Sequence, residues 1–185
     1  GRIALLQRDF VAADEFHRRA MKLAAEQGNK PAEEFAELGL GLSARRQGNL
    51  DAAEHHFRRW LDWLRQLDSQ PGVPLVLAEL GFIAEQRGNA RLALDLHAEG
   101  LAAAEAVGDP RALALAHEGL AGAHSLTENT CQGARHLGTA ARLRESVGAP
   151  LPPGERADVD RITDRLTRTL GAAAFSAEYT RGQTT

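Results

Sequence analysis

The chain has 185 residues, 43% of them hydrophobic and only 5% aromatic, and its 22 basic and 25 acidic side chains leave a formal charge of −3. It is long enough to bury a continuous core, and it lacks the basic stripe that a nucleic-acid or anionic-membrane surface requires. A single cysteine, Cys131, excludes an intrachain disulfide framework and fits a reducing cytoplasm; no apolar run approaches the ~18–20 residues that span a bilayer, and no signal-peptide pattern is read.

Apolar residues recur at helical spacing along most of the chain. Phe35, Leu38 and Leu42, and again Leu75, Ala78 and Phe82, stand three and four apart on one helix face. Leu50, Ala53, Phe57, Trp60, Leu61 and Leu64 mark a wider buried stripe. Helices are expected at 1–7, 10–27, 31–47, 50–68, 73–87, 90–107, 111–127 and 131–147. Gly48-Asn49 and Gly88-Asn89 read as tight turns whose asparagine caps the next helix. Asp109-Pro110 reads as an N-cap followed by proline at the first helical position, where a missing N–H costs nothing. Leu151-Pro152-Pro153-Gly154 is a stiff break, followed by one helix over 155–170 with Val159, Ile162, Leu166 and Leu170 on a face. Gly171 then leads into a short segment bearing Phe175 and Tyr179, and 155–180 reads as the cover of the last exposed apolar face.

A register of 40 residues relates these elements. Gly41, Gly81 and Ala121 share it, as do Asn49, Asn89 and Asn129, and Ala13, Ala53, Ala93 and Gly133. The linkers keep step at Gly28, Asp68, Gly108 and Gly148. Gly1 aligns with Gly41, so the chain opens in mid-repeat and reads as a piece of something longer. A fixed period in this range means a stack of similar supersecondary units. The expected fold is all-α: a right-handed superhelical solenoid of about four antiparallel helix pairs over 1–150, the first truncated. Residues 151–185 supply the break, a capping helix and a tail. Gly41 and Gly81 are placed at helix–helix crossings, where a large side chain has no room.

Leu40-Gly41-x-x-Ala44 with Gly48 and Ala53-x-x-x-Phe57-x-x-Trp60 resembles the tetratricopeptide repeat pattern. Leu80-Gly81-x-x-Ala84 with Gly88 and Ala93-x-x-x-His97 is the second copy, and Leu120-Ala121-x-x-His124 with Gly133-x-x-x-Leu137 the third. Glu37 stands where the pattern favours tryptophan, no proline closes the second helix, and the period exceeds the usual ~34. The longer units, with the tail from Gly148 to Val159, Leu170-Gly171 and Phe175, are similar to the C-terminal repeats of actinobacterial multidomain ATPase-type transcriptional regulators.

The resemblance puts the first helix of each unit on an inner, concave face, here Phe35, Leu38, Leu42, Arg45, Arg46, Leu75, Ala78, Phe82, Glu85, Gln86, Leu115, Glu118 and Gly122. Such an apolar lining with an Arg45-Arg46 rim suits an amphipathic helix, from a partner protein or from another segment of the parent chain. The plainer alternative is that these residues pack between neighbouring units. The resemblance implies a non-catalytic interaction domain of a bacterial transcriptional regulator; a small-molecule inducer sensor is the second expectation, with His117, Glu118 and Arg45 as its polar candidates. No nucleophile–base pair, metal motif, phosphate loop or acid dyad is found, so no catalytic residue, metal or cofactor is assigned. His117 and His124 lie two turns apart and would need a third ligand; His17 and His97 take the slot of Phe57 and read as half-buried packing residues. Cys131 reads as an inert thiol in the first turn of a helix. Arg161, Arg165 and Arg168, interleaved with Asp158, Asp160 and Asp164, read as a solvated face on which Asp164 and Arg168 can pair. Ile3, Leu5, Leu6 and Phe10 form an apolar end expected to self-associate.

Overall fold

In the computed structural model, residues 2–6, 9–151 and 153–184 are described. They form ten helices and no strand: α1 (Arg2–Leu6), α2 (Phe10–Glu26), α3 (Lys30–Arg46), α4 (Leu50–Gln66), α5 (Val73–Gln86), α6 (Ala90–Val107), α7 (Pro110–His124), α8 (Thr130–Ser146), α9 (Pro153–Leu170) and α10 (Ala172–Thr184). The caps expected at Asn49, Asn89 and Asp109 form, and Asn29 caps in the same way. Oδ1 of Asn29, Asn49 and Asn89 accepts the N–H of Ala32, Ala52 and Leu92 at 3.2, 3.3 and 3.1 Å, and the Asp109 carboxylate accepts from Arg111 at 3.0 Å. Asn129 makes no such bond. The linker register is conformational as well. Gly28, Gly108 and Gly148 have φ of 65, 71 and 58°, and Asp68 in the same register stands at 50°, where aspartate is one of the few side chains that tolerates a left-handed backbone.

Two expectations about helix ends are corrected. Helix α7 stops at His124, short of 127, because Ser125 and Thr127 turn their hydroxyls onto the carbonyls of Gly122 and His124 and satisfy the helix end there. The segment after Gly171 is a full helix, α10.

The chain divides into two compact units, Gly1–Ser69 and Gln70–Thr185. The division falls inside the span read as one array, and α9 and α10 belong to the second unit. In the first unit α2, α3 and α4 pack in chain order, with α1 against α2 and α3. Ala53, Phe57, Trp60, Leu61 and Leu64 are buried as the stripe requires. Gly41 lies against Phe57, whose Cε1 would be 2.9 Å from an added Cβ. Glu37 is buried; it accepts from Arg59 at 3.0 Å and faces His56 Nδ1 at 3.2 Å.

The second unit packs α5, α6, α7 and α8 in order and also joins α5 to α7 directly. Its centre holds Ala78, Phe82, Ala121 and Leu137 with Ile162 and Leu166 of α9. Helix α10 lies along α8 at backbone distance: a Cβ on Gly138 would stand 3.0 Å from Tyr179 C, and one on Gly182 would stand 2.7 Å from Arg135 C. Thr139 Oγ1 donates to the Gly182 carbonyl at 3.0 Å, and Arg135 pairs with Glu178. The expectation that His17 and His97 are half-buried is wrong for both. His97 is fully enclosed because Gly81 on α5 and Gly119 on α7 leave a slot that the imidazole fills, edge-on to Phe82 at 5.1 Å between ring centres. His17 fills the same kind of slot over Gly39.

Candidate functional site

Of the thirteen residues assigned to the inner face, the second unit carries eight, and α9 packs on most of them. Ala78 and Phe82 are buried in the cluster that includes Ile162 and Leu166, with Leu115 packed against its edge. Gly122 sits beneath the tip of Ile162, whose Cδ1 would be 2.9 Å from an added Cβ. Glu85 is 1% exposed, and one of its oxygens accepts from both Arg161 and Arg165, the latter at 2.8 Å. Arg165 also reaches Ser125 Oγ at 3.2 Å. Gln86 donates to Asp158 at 3.3 Å, and Asp158 in turn accepts from Arg161 at 3.0 Å. Leu75 is half-buried on α5.

The reading of Arg161, Arg165 and Asp158 as a solvated face is therefore overturned. A buried carboxylate on α5 draws both arginines inward, because leaving Glu85 enclosed and unpaired would cost several kcal/mol, on the order of 3–5. Asp160, Asp164 and Arg168 do remain exposed. Arg168 donates to the Asp164 carbonyl at 3.2 Å, a backbone bond in place of the expected side-chain pair.

Glu118 faces another way. It is buried and held by both Nε and Nη2 of Arg144, the latter at 2.8 Å. Burial raises its carboxyl above the ordinary value, with the Arg144 hydrogen bonds pulling the opposite way. In the first unit α3 carries Phe35, which is 57% exposed, a half-buried Leu42 and Arg46, and a buried Leu38 and Arg45. Phe35 is thus the large apolar residue of the assigned set that stands open.

The histidines form a group that spacing did not disclose. His136 on α8 stands between His117 and His124 of α7: Nδ1 of His117 and His136 are 2.9 Å apart, and the His124 and His136 rings stack at 5.5 Å and 6°. Burial, followed by the neighbouring His117 and His124, lowers His136 to about 4. Among the described residues no group of three His, Cys, Asp or Glu has the arrangement to hold a metal ion. The third histidine is present as a stacking partner. Cys131 is exposed in the first turn of α8.

At the N-terminal end Ile3 is 73% exposed, and Leu5 and Phe10 are half-buried; the Leu6 side chain lies outside the described residues. Val11, Phe16 and Leu23 of α2 extend the apolar surface. No helix among the described residues is long and apolar enough to cross a membrane. No known protein family and no curated protein matches the chain in sequence.

Proposed function

We propose that the chain is a tetratricopeptide-like array acting as the non-catalytic interaction domain of a bacterial transcriptional regulator, and that the α5–α7 face is its docking surface for an amphipathic helix. One observation carries the reading: that face already holds an amphipathic helix, α9, through Ile162 and Leu166 on its apolar side and Arg161 and Arg165 on Glu85. The direct α5–α7 packing supports a stack of helix pairs. The helix residues and the face residues complement each other as a peptide and a groove do.

In this reading α9 is the resident occupant, and an outside helix must displace it. A tethered segment competes at an effective concentration of about 1 mM. If α9 alone binds the open face with a Kd of ~10 µM, the closed form outnumbers the open form about 100-fold, and an incoming helix loses the same factor in apparent affinity.

The test uses a fluorescent peptide of residues 155–170 and two full chains, the wild type and an Ile162→Asp, Leu166→Asp double variant that releases α9. The released chain is expected to bind the peptide at roughly 10–100 µM, and the wild type at least about tenfold more weakly. A released chain that keeps its helix content and ignores the peptide refutes the docking face. Phe35→Ser is the appropriate surface variant for capture of partners on α3. Phe82, 2% exposed beneath α9, is unsuitable because its loss would disturb the core.

A further inference from the structure

The second unit holds a cavity of ≈ 700 Å³ between α8, the 148–151 linker, α9 and α10, with Glu118 of α7 in its wall. Its size is that of a site for a drug-sized molecule, about 300–1,000 Å³. Its walls are mostly apolar: Leu137, Ala141, Leu151, Val159 and Phe175 among them. The Phe175 and Tyr179 rings stand on one wall, 5.8 Å apart and tilted by 33°.

The charges lining the cavity do not cancel. Glu118 and Glu145 face one cation, Arg144. Arg144 commits Nε and Nη2 to Glu118, so this pair is neutral as a whole. Glu145 is left as a net negative charge, and no ion pair to it is formed among the described residues. Burial first, and then the Glu145 charge, raise the Tyr179 phenol, which places that carboxylate's field at the aromatic wall. Glu155 adds to the same negative field at Glu118. An anion entering the cavity would meet Glu145 and find Nη1 of Arg144, whose Nε and Nη2 are already held by Glu118. Glu145 is exposed and hydrated, so a neutral molecule gains nothing from it, whereas a cation gains a screened attraction.

We infer that this cavity is a binding site for a hydrophobic organic cation, an aromatic or alkyl ammonium compound, with its apolar body between α8 and α9 and its charge against Phe175, Tyr179 and Glu145. Aromatic faces attract such cations through their quadrupole, and partial desolvation strengthens the attraction. Of the polar groups expected to serve a sensor, only Glu118 lines the site; His117 belongs to the histidine stack and Arg45 to the first unit. Because α9 and α10 supply Val159, Thr163, Phe175 and Tyr179, the ligand meets a complete site only while both helices are docked. Binding therefore holds the two helices in place, by mass action on the docked state. The assignment is independent of any helix docking in trans.

The experiment is calorimetry on the full chain with benzyltriethylammonium, compared with benzenesulfonate and benzyl alcohol, together with hydrogen exchange. The cation is expected to bind saturably with a Kd of about 1 mM or tighter, consistent with a ligand of its size, and the anion and the alcohol at least about tenfold more weakly. Glu145→Gln should weaken the cation about 2–5-fold, and Ala141→Trp, which fills the cavity, should abolish binding. If Ala141→Trp does not fold, Ser176→Trp at the rim serves the same purpose. The ligand should slow exchange in α9 and α10. The inference is overturned by equal affinity for benzenesulfonate, by cation binding that survives both variants, by protection confined to other helices, or by no heat up to about 10 mM, well past the expected Kd.

Discussion

Gly81 and Gly100 are both buried helical glycines of the second unit, yet alanine at the two positions should change stability with opposite signs. In a helix interior, Gly→Ala by itself stabilises by about 0.5–1 kcal/mol, because alanine restricts the unfolded chain. At Gly100 that gain should survive, since the nearest atom to a new Cβ is Leu77 Cβ at 3.4 Å, an ordinary contact. At Gly81 the new Cβ would stand 2.5 Å from His97 Nε2 and 2.8 Å from Cδ2. The imidazole cannot retreat: it is fully enclosed and pressed from the other side by Gly119, where an added Cβ would be closer still. Helices α5 and α6 must therefore separate by roughly 1 Å, an overpacking cost of about 1–3 kcal/mol that exceeds the propensity gain. The net expectation is a loss on the order of 1–2 kcal/mol for Gly81→Ala, with Gly81→Leu worse, and no loss for Gly100→Ala. Urea denaturation at neutral pH measures both. The double variant Gly81→Ala, His97→Ala should be more stable than the sum of the single changes predicts, because the two share one contact. A stabilised Gly81→Ala, or a Gly100→Ala that costs as much, would refute the slot as the reason for these glycines.

Three further outcomes follow from the same geometry. Gly182→Ala should free α10 from α8, since its Cβ would meet the Arg135 backbone at 2.7 Å; hydrogen exchange should rise in α10 while α5–α7 keep their protection. The histidine stack makes stability fall with acid: the unfolded chain takes up a proton near 6.5, whereas His136 in the fold does so only near 4. Between those values the unfolded state binds more protons, so about 3 kcal/mol is lost from pH 7 to pH 4, with His117 and His124 shifted in the same direction. His136→Asn should flatten that slope relative to the wild type, and an NMR titration placing His136 above 6 would sink the argument. Asn89→Ala should cost about 1 kcal/mol through the lost cap, whereas Asn129→Ala should cost little because its side chain caps nothing; equal losses would contradict this.

The local half of the structure was legible in the residues. Asparagine before an apolar run, glycine or aspartate at the left-handed linker positions, and apolar spacing of three and four act within one or two helical turns, so they place helices α2–α8 with errors confined to their ends. The small residues at 41 and 81 likewise announced close crossings, because only a neighbouring helix explains a repeated absence of Cβ.

What spacing could not convey was which face of a helix meets water. Arg161 and Asp158 are three residues apart and look like a surface pair in sequence, yet the carboxylate that draws Arg161 inward, Glu85, lies 76 residues away. His136 joined His117 and His124 only when α8 packed on α7, and α10 became a docked helix only where Gly138 meets the Tyr179 backbone and Gly182 meets that of Arg135. Helical periodicity assigns residues to a common face. Burying a particular charge or ring depends on the partner that faces it, and only the tertiary packing supplies that partner.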